Sequence, residues 1–280
     1  MKTHRYITWF AALLLLVCAP VERAEAQRST AAKHSREAMA LAKKQQYDKA
    51  AEAFGKAIDA QPKNATHYIN RGQALRADGK LKPASADFTR AIELKPRDAT
   101  PYTLRGQVSL DQKKVDRAIA DFDQALKISP RDRSALRFRA FAHMTKRDWK
   151  KAIADYDVAI NTIRRVDVEG RMRRGFAHRN LKQYDRAIDD FSRIIQASPK
   201  NADFHRYRAD TYALMGDNEK AVADMKKVVE LKPDNKEAQR RLSALQRSAR
   251  ASAKARPEAS PAAAPRASGA TPKATPSGRG

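Results

Sequence analysis

The side chains able to do covalent or metal chemistry are few, and their spacing assigns them no shared task. Cys18 is the single cysteine among 280 residues, so no disulfide or two-thiolate metal site can form within the chain. Zinc hydrolases place two histidines and a glutamate on one helix as H-E-x-x-H, and that string is absent. The stretch "GKLKPAS" at Gly79 lacks the Gly-rich phosphate loop with its Gly-Lys-Ser/Thr ending. His34, His67, His143, His178 and His205 are scattered, and His143 and His178 stand 35 residues apart at equivalent places of a repeat. Such histidines read as helix-face residues rather than ligands. Ser, His and Asp are present in number, but nothing brings a triad together. No catalytic, cofactor-binding or metal-ligating residue is therefore nominated, and no cofactor is expected.

The chemistry that does recur is ionic. Arg71, Arg105, Arg139, Arg174 and Arg208 are each followed 16 residues later by Asp87, Asp121, Asp155, Asp190 and Asp224. The first unit lacks both, with Glu37 and Ala53 in their places. A row of arginines could be a binding ladder, but partners that come and go together point to pairing. The expected pair joins the two helices of a unit, or one unit's Asp to the next unit's Arg. Removing one member of a buried pair strands the other charge.

The elements that carry these residues follow from a period. Pro62, Pro96 and Pro130 are 34 residues apart, Arg164 takes the next place, and Pro199 and Pro233 resume after one extra residue. Self-similarity at this length marks a solenoid. Ala50, Ala84, Ala118, Ala152, Ala187 and Ala221 hold one repeat position; Phe54, Phe88, Phe122, Tyr156, Phe191 and Met225 hold another. Ala38, Gly72, Gly106, Ala140, Gly175 and Ala209 hold a third, small because two helices must meet there. In "RAIADFDQALK", Ala118, Ile119, Phe122, Ala125 and Leu126 make one apolar helix face. "PYTLRGQVSL" begins a second helix at Pro101, a good first-turn residue. Trp149, Tyr184, Tyr47 and Leu81 share one position and read as packing.

These residues, from Ala31 to about Asn235, resemble the tetratricopeptide repeat family. The resemblance implies an all-α, right-handed solenoid of about six helix-turn-helix units. Their expected bounds are about 31–64, 65–98, 99–132, 133–167, 168–201 and 202–235, with a capping helix at 236–247. It further implies a concave groove lined by first helices. Carried onto this chain, the groove candidates are Met39, Asn70, Gln73, Arg76, Gln107, Asp111, Arg137, Phe141, Met144, Arg173, Phe176, Arg179, Arg206 and Asp210. Phe141, Met144 and Phe176 would be apolar spots in a basic groove, suited to an acidic or amphipathic peptide. The family's two-carboxylate clamp is matched by Asn70 alone, since Ser35, Met39, Thr100 and Leu104 occupy its other places.

Charge and chain ends complete the reading. The net charge is +25. Residues 1–26 read as a signal peptide: Lys2 and Arg5, an apolar run from Tyr6 to Pro20, then "AEA" at Ala24–Ala26. That run is 15 residues, short of the roughly 20 that span a bilayer. Cleavage after Ala26 would make Gln27 the first residue and the protein periplasmic or secreted; only an uncleaved signal would tie it to a membrane. Val17 before Cys18 lacks the small side chain a lipoprotein site needs. Residues 248–280 are Ala, Pro, Ser and Gly with scattered cations, and read as a disordered basic tail after a repeat domain at 27–247. The leading function is a non-enzymatic scaffold that binds a protein or peptide, with no small-molecule substrate. The alternative is an anionic envelope polymer or nucleic acid held by the basic surface and tail. Export and the lack of exposed aromatic rows argue against nucleic acid.

Overall fold

The computed structural model describes residues 2–162 and 166–255, with side chains from residue 22 onward up to 254. Arg164, the tail from residue 256 and the side chains of the apolar run at 6–20 lie outside the described residues. The described residues form thirteen α-helices and no strand. In order they are α1 (Lys2–Lys43), α2 (Tyr47–Ala60), α3 (Ala65–Ala77), α4 (Leu81–Leu94), α5 (Ala99–Asp111), α6 (Val115–Ile128), α7 (Arg133–Thr145), α8 (Trp149–Asn161), α9 (Val168–Asn180), α10 (Tyr184–Ala197), α11 (Ala202–Met215), α12 (Asn218–Leu231) and α13 (Lys236–Ala255). Each odd helix packs on the even one that follows, and each even helix packs on the next odd one, so six hairpins stack under α13. None of these helices is long and apolar enough to cross a membrane, among the described residues.

The turns are set by residue type. After the proline place, Asn64, Asp98, Asp132, Asp167 and Asn201 cap α3, α5, α7, α9 and α11, each accepting from a backbone N–H two or three residues on. Asn235 does the same for α13 through Ala238. The extra residue of the series falls between place 164 and the cap Asp167, in the α8–α9 turn. Within each hairpin the chain turns through one left-handed residue: Gln45, Gly79, Lys113, Arg147, Lys182 and Gly216, with φ between 59° and 91°.

Packing explains the small positions. Phe54, Phe88, Phe122, Tyr156, Phe191 and Met225 are all buried, as are the alanines 12 residues before each proline place. A Cβ on Gly106 would lie 2.6 Å from Phe122 Cε1, and on Gly72 or Gly175 2.8 Å from the facing ring. Those glycines let the paired helices close over the ring. α13 docks Ala238, Leu242 and Leu245 against Met225 and Val228. It runs to Ala255, past the boundary at 247, and Ser252 bonds Asn218. The composition of 248–255 misled because Ala, Ser, Lys and Arg suit a tail as well as an exposed helix.

Candidate functional site

Two sets of arginines project from the odd helices. The first is the periodic row. Each arginine grips the aspartate of the next helix in its own hairpin, at 2.6–2.7 Å. The grip is two-pronged: Arg71 Nε and Nη2 each donate to one oxygen of Asp87, and Arg139 and Asp155 repeat the geometry. All five aspartates are buried. The third nitrogen, Nη1, reaches the preceding unit: Arg105 to Thr89, Arg139 to Asp123, Arg174 to Asp157 and Arg208 to Ser192. The hydrogen bonds to Asp155 and Asp224 raise the pKa of Arg139 and Arg208 against the cost of burial. These arginines are structural clamps within and between units.

The second set lines the inner face. α3 touches α5, α5 touches α7 and α7 touches α9, while no even helix meets the next even one as closely. The odd helices therefore crowd the inside of the curve. Positions i, i+4 and i+7 of α7 put Arg137, Phe141 and Met144 along one side.

At the amino-terminal end of this face Arg76, Gln107 and Asp111 satisfy one another. Arg76 donates to Asp111 and Gln107, each at 2.6 Å, across α3 and α5. Met39, Asn70 and Gln73 border a recess of about 300 Å³ with Tyr47 and Phe54. Gln107 is buried and committed to Arg76, not free for a ligand.

From α7 onward the cations prevail. Arg137 and Arg173 share one carboxylate, Glu169, and the Arg173 guanidinium lies 4.8 Å from the centre of the Phe141 ring. Arg179 lies 5.0 Å over Phe176. Burial lowers its pKa, and it makes no hydrogen bond to a carboxylate. The nearest acid, Asp210, is held by Arg241 at 2.6 Å and approached by Arg206 at 3.8 Å. Burial nonetheless raises the Asp210 pKa against those cations. Arg206 also covers Tyr207 at 4.7 Å. Of the three expected apolar spots only Phe141 is exposed. Met144 packs on Ala140, Tyr156 and Ile160, and Phe176 on Phe191 and Tyr207, because each fills the seam beneath its helix.

The structure adds Glu169, Tyr156, Tyr207 and Arg241 to this surface. Only Tyr156 left a mark in the sequence, as the one tyrosine in a row of phenylalanines. The histidines are engaged locally and mostly buried: His67 with Ser35, Asn64 and Gln61, His178 with Gln183, and His205 with the Pro199 carbonyl. Among the described residues no group of three acids, histidines or cysteines could hold a metal. The surface thus gathers guanidinium groups that lie over aromatic rings or share carboxylates.

Models of the tetratricopeptide repeat match residues 35–99 and 103–167, and a second such model matches 181–245. Among solved structures the chain is similar to YrrB, a TPR protein with an unusual peptide-binding site. The identity is 27% and the TM-score 0.61, covering 68% of this chain and 97% of that one. A tetratricopeptide repeat protein from Parabacteroides merdae ATCC 43184 shares 21% identity at TM-score 0.59, over 80% and 93% of the two chains. PilF of Pseudomonas aeruginosa shares 13% at TM-score 0.64, over 78% and 99%. The last two likenesses concern the fold alone. A search of curated proteins returned no match.

Proposed function

This chain belongs to the tetratricopeptide repeat family, and on that premise we propose that it is a non-enzymatic scaffold whose inner face binds an acidic or amphipathic segment of a partner protein. The observation that carries the reading is the imbalance between α7 and α11. Arg137, Arg173, Arg179 and Arg206 face three carboxylates, Glu169, Asp203 and Asp210, of which Asp203 is also engaged by Lys232 and Asp210 by Arg241. A desolvated cation without a hydrogen-bonded carboxylate, as Arg179 is, favours an incoming anion. The likeness to YrrB, itself a peptide binder, supports a peptide as that anion. The signal-like first 26 residues support a reading in which this activity lies outside the cytoplasm, in the periplasm or beyond.

The test is a pull-down from envelope extract with the full chain, the chain lacking residues 256–280, and Arg179→Ala/Arg206→Ala. A protein captured with or without the tail, and lost with the groove variant, supports the proposal. Polymer or nucleic acid retained by the groove variant, and released by removing the tail or raising salt, would transfer the function to surface charge. Turnover of a substrate by the purified protein would refute the scaffold reading.

A further inference from the structure

Among the described residues, every buried side-chain nitrogen or oxygen without a hydrogen-bond partner lies on α7, α8 or α9: Arg133 Nε, Arg137 Nε, His143 Nδ1, Tyr156 Oη and Arg171 Nε. Native structures rarely leave such groups, so their concentration at one seam calls for a cause. That seam holds the extra residue of the repeat series.

Two of the five, Arg137 Nε and Tyr156 Oη, belong to residues lining one recess of about 220 Å³ between α7 and α9. A water occupies about 30 Å³ of liquid, so the space admits a whole side chain. Tyr156 forms its floor and is fully buried. Four other units place phenylalanine there, and one places methionine, so packing does not call for the hydroxyl. Burial raises its pKa, which keeps it a neutral donor. Arg137 Nε can only donate. The floor therefore offers two buried donors, N–H and O–H, that no group of the fold accepts from, with the Ser134 hydroxyl in the same lining. At the rim Glu169, about half exposed, bridges Arg137 and Arg173, and Phe141 lies beneath Arg173.

We infer that this recess takes a side-chain carboxylate of the bound segment, an Asp or Glu that accepts from Tyr156 Oη and Arg137 Nε and displaces Glu169 from the two arginines. The inference rests on the groove reading above and names a residue that the groove selects. Glu169 then acts as a resident stand-in, keeping the arginines paired until a better-buried carboxylate arrives.

The test uses the full chain and capped nine-residue peptides of Ala, Leu and Ser carrying one central Glu, one central Gln, or no acid but a free C-terminal carboxylate. Binding is read by chemical-shift titration. The Glu peptide is expected to bind about tenfold tighter than the Gln peptide, roughly the effect of one buried charge-assisted bond. Tyr156→Phe should cut that preference several-fold with an unchanged or higher melting temperature, since no existing bond is lost. Glu169→Gln should strengthen binding of the Glu peptide. Equal binding of the Glu and Gln peptides would overturn the recess. So would a Tyr156→Phe protein that melts lower and keeps its preference, because the hydroxyl would then be structural. Preference for the free C terminus alone would also overturn it. If all peptides bind alike and Arg179→Ala/Arg206→Ala abolishes binding, the groove stands without the recess. If none binds, both readings fall.

Discussion

The same side chain does two jobs on the two flanks of α7, α9 and α11. On the flank facing its own hairpin, arginine is held two-pronged by a buried aspartate, and its remaining nitrogen ties the unit before. On the inner flank from α7 onward, arginine lies over an aromatic ring, or shares a carboxylate with a second arginine. The difference separates structure from recognition. An arginine whose hydrogen bonds are all met within the fold has none left to offer. Arg179, which has lost water and gained no carboxylate bond, does.

The comparison can be broken most forcefully at the clamps. Arg139→Ala leaves Asp155 buried and unpaired and Asp123 without its ion pair. The expected loss is about 3 kcal/mol, the lower end of the range for a broken buried pair, since Arg139 is 23% exposed. Urea unfolding reads it. Peptide affinity per folded molecule should stay unchanged; a variant of full stability that no longer binds would mean that the row is itself the binding ladder. Next comes the inner face. Arg179→Ala strands no carboxylate, so stability should move by less than about 1 kcal/mol while affinity for an acidic segment falls about tenfold. A third measurement sharpens the contrast by salt. Between about 0.05 and 0.5 M, binding should weaken as screening shortens, while the melting temperature barely moves, because buried pairs are screened least. The smallest effect is with pH. Burial holds the imidazoles of His67 and His143 below their ordinary value of 6.5. An unfolded chain takes up those protons as pH falls through about 6.5 and the folded one resists, so stability is level above that point and declines below it. His67→Gln with His143→Gln should flatten the decline in a melting series from pH 8 to 5.

How much of this was legible depends on whether a feature repeats. The hairpins, the ring-and-small-residue core and the Arg–Asp pairs could be read, because each recurs at a fixed offset and one physical reason serves every unit. The offset left the aspartate of the same unit and that of the unit before both open as the clamp's partner, and the structure takes the first. The acceptor of its third nitrogen, in the unit before, was not legible, because Thr89, Asp123, Asp157 and Ser192 share a position and a role without sharing a residue type. The inner face was legible only as a list of places. Which of those residues remain free depends on contacts made once. Gln107 is consumed by Arg76, Glu169 joins two helices, and Arg241 of α13 reaches Asp210, 31 residues away. No period announces such pairs.

The acceptors of the clamps also grade the joints of the stack. Arg71 finds Gly55 opposite and makes no hydrogen bond across the first joint, where Asp59 offers only a longer-range attraction: even a Cβ on Gly55 would be 3.8 Å from its Nη1. Arg105 and Arg208 find hydroxyls, and Arg139 and Arg174 find carboxylates at 2.6 Å. The clamps' hold between neighbouring units therefore rises toward the middle of the stack and is absent at the first joint, where Ser35 and His67 join α1 to α3 instead.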